Sequence, residues 1–339
     1  MLQALIRGPK EFEVQQVPKP VLQSDSELLL KTAACGICSG DLMEWYMERK
    51  VNTVLGHEVV GYAEEVGSDL NHVKPGQLVF VHHHAPCMEC RYCRAGDAVH
   101  CVTWRKSKLD PGGMAEYIRV PSVNAQRDSF PIDDLTPEVG AFIEPLACSV
   151  KAIARLGSCP RDHGIIVGCG VMGLLNLAAA KAAGTKLLWA VEPDPVRQEY
   201  ARRFGADKVF TPEQLADRAR ADDFEGADYV IVGPGNPTVI VQSLAYVRNG
   251  GTVVLFTATP TGSPTALDFD DLYFREVSLV PSYSCGPQDT RRAYDLLRTG
   301  AVDVMPLITN RFKIDEIQTA YDTAKRGGEV LKVLVIFDQ

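Results

Sequence analysis

The sequence predicts an α/β protein in which a doubly wound parallel sheet follows a first part that opens in short strands. Three observations carry this reading. The run Ile165-Ile-Val-Gly-Cys-Gly-Val-Met-Gly173 sets a short β-branched strand directly before a glycine cluster, and a helical apolar pattern follows over 171–183. Strand and helix patterns then alternate to about residue 281, which implies parallel strands with helices on both faces. Residues 1–34, by contrast, read as short strands punctuated by Gly8-Pro9 and Pro18-Lys-Pro20.

Taken in order, residues 27–34 form a strand leading into Cys35-Gly-Ile-Cys38. After the glycine cluster come a strand at 186–192, a strand at 207–210 and a helix near 212–219. A strand at 228–232, a helix near 238–247 and a strand at 251–257 continue the alternation, and 276–281 supplies its last strand. Beyond it, 289–299 is an amphipathic helix, 312–325 resembles a second, and 329–337 closes the chain as a strand.

Composition sets the frame. The chain has 339 residues, enough for two domains with separate cores, and 46% hydrophobic against 23% charged residues is usual for a globular protein. Lys+Arg 35 against Asp+Glu 43 leaves a net charge of −8 with no basic block, so neither nucleic acid nor an anionic membrane surface is an expected partner. The first residues are broken too early by Gly8-Pro9 for a signal peptide, and no apolar run approaches the roughly 18 residues of a membrane span. A cytoplasmic protein is expected. In that setting ten cysteines point to metal or redox chemistry rather than to a disulfide framework.

Gly168, Gly170 and Gly173 have the spacing Gly-x-Gly-x-x-Gly in the strand–turn–helix context that this fingerprint needs. Gly168 permits the tight turn, Gly170 lets a pyrophosphate approach the backbone, and Gly173 lets helix and strand pack closely. The helix start at Val171 and Met172 then points its N–H groups at the phosphates. Glu192, about 20 positions on, ends the next strand and suits the ribose hydroxyls of NAD, while repelling the extra phosphate of NADP. Asp194 competes for that role. Arg197, Arg202 and Arg203 read as a solvated helix face, with Arg197 kept among the candidate cofactor contacts.

Cys87, Cys90, Cys93 and Cys101 are spaced C-x₂-C-x₂-C-x₇-C, close enough to close a tetrahedral shell around one structural Zn²⁺. His82, His83 and His84 precede that lobe. Alternation would put His82 and His84 on one face; a further metal site is conceivable, but hydrogen-bonded or exposed side chains are the expectation. Glu144-Pro145 by itself reads as a helix start, with proline in the first turn and the carboxylate near the helix dipole.

Cys38, Gly56-His57-Glu58, the four-cysteine lobe, Glu144-Pro145 and the glycine fingerprint stand in the order seen in zinc-dependent medium-chain alcohol dehydrogenases, which the chain resembles from end to end. Glu144-Pro-Leu-Ala is similar to the sorbitol (polyol) and threonine dehydrogenase branch. The resemblance implies a Rossmann NAD-binding domain over 151–285. It also implies a discontinuous, mainly β GroES-like catalytic domain over 1–150 and 286–339, with the substrate cleft between the lobes. It implies two zinc ions per chain, and a homodimer or homotetramer. Cys38, His57 and Glu144 become ligands of a catalytic zinc with one open position, Glu58 an exchangeable or neighbouring carboxylate, and Cys35 a core thiol. The implied reaction moves hydride between NAD and a secondary alcohol of polyol, sugar or amino-alcohol type. Its alternatives are an aldehyde or ketone reductase, or a non-catalytic binding protein. The chain departs from the family where a proton relay is usual: Gly40 and Met43 replace the Ser/Thr and His of many relatives. Proton transfer is therefore expected through water at the metal to Glu58, with the shifted Ser39 as the competing relay.

Overall fold

The computed structural model describes residues 1–8 and 11–338. The chain divides into two compact units: Met1–Ala147 with Cys285–Gln339, and Cys148–Ser284.

The second unit is built on a six-stranded, wholly parallel sheet. Its strands lie in the order Lys208–Phe210, Leu187–Val191, His163–Val167, Ala227–Val232, Val247–Leu255 and Ser278–Pro281. Counted along the chain this is third, second, first, fourth, fifth, sixth, the doubly wound order, in which crossovers leave the first strand in opposite directions. Central strands buried on both faces need continuous apolar runs, and Ala227–Val232 is buried throughout. Ile165, Trp189, Val230 and Val253 meet in the core that these strands share with Leu215 and Ile240. Helix starts follow local chemistry. Asp194 caps Pro195–Arg203, Thr211 and Gln214 form a capping box on Pro212–Arg218, and Asn236 caps Pro237–Ser243.

The first unit holds a seven-stranded mixed sheet. Its order is Ile308–Phe312, Lys332–Ile336, Leu28–Gly36, Glu58–Val66, Leu78–Val81 and Ser129–Pro131, with Tyr117–Val120 also paired to Leu28–Gly36. Only the pairing of Ile308–Phe312 with Lys332–Ile336 is parallel. The C-terminal strand thus lies inside the sheet, and its Val333 and Val335 share a core with Leu28, Leu30, Val59, Val79 and Ile118.

Element boundaries differ from expectation in several places, among them the strand expected over 251–257, which runs Val247–Leu255, and two helices. The helix expected near 238–247 stops at Ser243, because the Tyr246 carbonyl accepts from Ala227 N–H and the strand begins at Val247. The helix expected over 312–325 is Ile317–Arg326, and Phe312 instead ends the strand Ile308–Phe312. That strand is legible only through its pairing with distant Lys332–Ile336, which periodicity does not reveal. Among the described residues, no helix is long and apolar enough to cross a membrane.

Candidate active site and metal centres

The strand Leu28–Gly36 delivers Cys38 at its end, where Cys38 is the N-cap of a short 3-10 helix, Ser39–Leu42, and its Sγ accepts from Gly40 N–H at 3.3 Å. The neighbouring strand Glu58–Val66 begins beside it, with Gly36 opposite Glu58. Cys38 Sγ, a ring nitrogen of His57 and a carboxylate oxygen of Glu58 lie within 4.8 Å of one another. Gly36 is required here, since a Cβ at that position would overlap the Glu58 carboxylate.

Two buried groups from elsewhere hold this cluster. Asp41 Oδ2 lies 3.5 Å from His57 Nδ1, and Asp41 is 2% exposed. Burial disfavours charge on His57, but Asp41, Cys38 and Glu144 outweigh it and raise its pKa well above the ordinary value. Lys332, from the C-terminal strand, donates to both oxygens of Glu58, at 2.8 and 2.6 Å, and to the Ile37 carbonyl at 3.3 Å. Both side chains are almost fully buried, at 3% and 1% exposure. Burial lowers the Lys332 pKa, yet Glu58 more than reverses this and the net shift is upward. Sequence reasoning passed over Lys332. The signal was a lysine at the centre of the apolar run Val330-Leu-Lys-Val-Leu334.

Glu58, expected to receive the substrate proton, thus has Lys332 as its immediate neighbour. Both oxygens of that carboxylate accept from one buried ammonium, a charge-assisted contact of the stronger kind. Ser39, the competing relay, is exposed on the 3-10 helix. Glu144 opens the helix Ile143–Ala154, is 5% exposed, and has its pKa raised by burial against the opposing pull of His57. It groups with ring nitrogens of His82 and His83, again within 4.8 Å, rather than with Cys38 and His57 in a single set.

His82–His84 lie just past the strand Leu78–Val81. His82 is wholly buried and its Nδ1 meets Asp128 Oδ2 at 2.7 Å. His84 Nδ1 meets the Ser107 carbonyl at 2.6 Å, and burial brings its pKa down to about 4.

In the cysteine lobe, Cys87, Cys90, Cys93 and Cys101 bring their sulfurs within 4.8 Å, and none is in a disulfide. The separations Cys90–Cys93, Cys101–Cys87 and Cys87–Cys93 are 3.5, 3.6 and 3.9 Å. Corners of a tetrahedron with metal–sulfur bonds of about 2.3 Å stand about 3.8 Å apart, so the four sulfurs fit a zinc ion. Val99 and Trp104 pack under the lobe.

In the second unit, Gly168 turns with φ +84°, and a Cβ at Gly173 would overlap the Gly168 carbonyl oxygen. Gly170 is the N-cap of Val171–Ala182 and has no side-chain cap, while a Cβ there would meet nothing within 4 Å. The first N–H groups of the helix, at Val171, Met172 and Gly173, have no carbonyl within the helix to bond. This open, donor-rich turn suits a pyrophosphate. Glu192 is 4% exposed; Oε2 accepts from Cys169 N–H at 2.7 Å and Oε1 from Asp194 N–H at 3.0 Å. An ionised carboxylate keeps acceptor capacity beyond two such bonds. Asp194, its competitor, is committed to the next helix, with Oδ1 accepting from Val196 and Arg197 N–H. Arg202 and Arg203 are exposed, and Arg197 is half-buried.

Known proteins agree with this architecture. Residues 24–127 match the alcohol dehydrogenase GroES-like domain and residues 171–299 the zinc-binding dehydrogenase domain. An L-threonine 3-dehydrogenase of Caldanaerobacter subterraneus subsp. tengcongensis is 30% identical over 319 residues, covering 89% of this chain and 89% of the relative. The sorbitol dehydrogenase of Bacillus subtilis is 28% identical over 359 residues, 99% of this chain and 97% of that one. A structure from Sinorhizobium meliloti 1021, described as a zinc-binding dehydrogenase bound to NADP, superposes with a TM-score of 0.86 at 29% identity, covering 99% of this chain and 100% of that chain. The chain belongs to the zinc-dependent medium-chain alcohol dehydrogenase family. It is an oxidoreductase, and family membership brings zinc and a nicotinamide cofactor with it.

Proposed function

We propose that the protein oxidises a secondary alcohol of polyol, sugar or amino-alcohol type with NAD, using one catalytic and one structural zinc per chain. The observation that carries the reading is the convergence of Cys38, His57 and Glu58, each delivered by the end of a sheet strand, beside the buried Glu144. A thiolate, an imidazole and a carboxylate make the donor set of a catalytic zinc site. Zinc, when bound, supplies a Lewis acid that lowers the pKa of an alcohol oxygen. The chain's own residues prepare the place. Asp41 sets its carboxylate 3.5 Å from His57 Nδ1, Gly40 N–H steadies the Cys38 sulfur, and Lys332 balances the charge of Glu58. Cys87, Cys90, Cys93 and Cys101 hold the structural ion. The amides of Val171 and Met172 would hold the coenzyme's pyrophosphate and Glu192 its ribose hydroxyls, and the Glu192 charge would disfavour NADP.

The substrate class follows the relatives, whose names include threonine, sorbitol and galactonate dehydrogenases. A screen of polyols, sugar acids and amino alcohols with NAD and NADP tests the reading. Activity is expected with NAD on at least one vicinal polyhydroxy or amino alcohol, abolished in Cys38→Ser, with the NAD preference narrowed in Glu192→Ala. A wild-type preference for NADP would refute the role of Glu192, and turnover by Cys38→Ser would refute the metal site.

A further inference from the structure

We propose that His82, His83, Cys285 and Glu144 form an additional zinc site, beside the Cys38–His57–Glu58 cluster and distinct from the cysteine lobe. It goes beyond the proposed activity and meets that reading only at Glu144, whose two carboxylate oxygens can serve two neighbouring ions.

The donors form two sets that meet at Glu144. Ring nitrogens of His82 and His83 and a Glu144 oxygen lie within 4.8 Å of one another, and a Glu144 oxygen lies within 4.8 Å of Cys285 Sγ. His82 Nε2 stands 3.6 Å from Cys285 Sγ, the spacing of two ligands on one tetrahedral ion. Two imidazoles, a thiolate and a carboxylate are a zinc donor set rather than one for magnesium or calcium.

The surroundings are those of a metal-ligating histidine. His82 is fully buried, and its Nδ1 pairs with Asp128 Oδ2 at 2.7 Å, which directs Nε2 at the cluster. Asp128 is itself fixed, its Oδ1 accepting from Thr290 Oγ1 at 2.6 Å and its N–H donating to the Asn124 carbonyl. Asn124 Nδ2 in turn donates to the His82 carbonyl at 2.9 Å. A carboxylate holding the far nitrogen fixes the tautomer and raises the basicity of the ligating one. A satisfied core histidine accounts for His82 alone. It does not account for His83, which shares the cluster with His82 and Glu144 and whose Nδ1 is buried with no hydrogen-bond partner. Nor does it account for a carboxylate and a thiol brought to one point from the helix Ile143–Ala154 and from the start of the returning segment, Cys285.

The test is metal content of the purified, zinc-reconstituted full chain after exhaustive dialysis. The double variant His82→Asn/Cys285→Ser should bind one equivalent of zinc less than wild type, and Cys38→Ser should lose a different one. In the cobalt-substituted protein, Cys285→Ser alone should remove part of the thiolate-to-cobalt absorption while far-UV circular dichroism stays native. Thr290→Val, which touches no donor, should weaken zinc retention at this position about tenfold or more. Unchanged zinc stoichiometry in the double variant, or an unchanged cobalt spectrum in natively folded Cys285→Ser, overturns the site. Loss in the double variant with no loss in Cys38→Ser would support this site while refuting the catalytic one.

Discussion

Replacing Lys332 with Met removes the ammonium that both oxygens of Glu58 contact, in a place where neither side chain reaches water. At separations of 2.6 and 2.8 Å the gross attraction is about 6 kcal/mol at an effective dielectric of about 20, which bounds the effect from above. Breaking a buried pair by deleting one partner costs about 3–5 kcal/mol, mostly because the remaining charge is stranded. Lys332→Met is therefore expected to lower unfolding free energy in urea by about 3–5 kcal/mol in metal-stripped protein. The loss should be smaller with zinc bound, where the ion offers Glu58 another positive neighbour. Glu58→Gln/Lys332→Met leaves no charge and should recover at least about 2 kcal/mol of the sum of the single losses. The pH dependence has a definite sign. The folded pKa of Lys332 is raised, so its contribution is complete below the unfolded value of about 10.4 and is lost only as pH climbs through the higher folded value. A Lys332→Met penalty under about 1 kcal/mol, or strictly additive single losses, would refute the reasoning.

Three further outcomes follow from other sites. Asp228 Oδ2 accepts from Asp162 and His163 N–H, both at 2.9 Å, and Oδ1 from Arg248 Nε at 2.7 Å. Although burial pushes its pKa up, these bonds leave it below the ordinary value. Its contribution is thus present above about pH 4 and lost as pH falls toward the folded pKa, so Asp228→Asn should cost about 1–3 kcal/mol in urea at pH 7 and markedly less near pH 3. In Gly173→Ala the new Cβ meets the Gly168 carbonyl, so a stability loss of about 1–3 kcal/mol and about tenfold weaker dinucleotide binding by calorimetry are expected. Cys90→Ser should lose one zinc by elemental analysis and show a clearly lower thermal midpoint, because structural zinc contributes folding energy.

The parallel sheet was legible because its signals are local. The strand Ile165-Ile-Val167, the glycine spacing and the acidic end of the next strand all lie within 30 residues and obey fixed backbone rules. The cysteine lobe was legible for the same reason. The chemistry around Glu58 was not, because its partner stands 274 residues away and a single lysine in an apolar strand carries no motif. His82 is a similar case. Its meaning depends on Asp128, Thr290 and Cys285, which only the folded sheet and the returning segment bring together. Ile308–Phe312 went unread, with its last residue taken as a helix start, because a parallel partner leaves no trace in the periodicity of a five-residue strand.

The inward position of Lys332–Ile336 has a consequence for how the protein is made. This strand separates Ile308–Phe312 from Leu28–Gly36, so until it leaves the ribosome the Ala34–Gly36 end of that strand lacks its partner, while Leu28–Lys31 is already paired with Tyr117–Val120. The segment that emerges between, Cys148–Ser284, draws every strand of its sheet from its own stretch and needs nothing from the tail. Maturation must therefore run out of chain order, the middle closing first and the beginning waiting for the end. Throughout that wait the Ala34–Gly36 end of the strand is an open edge and Glu58 lacks its counter-ion, which makes this part of the nascent N-terminal half the stretch most in need of a chaperone.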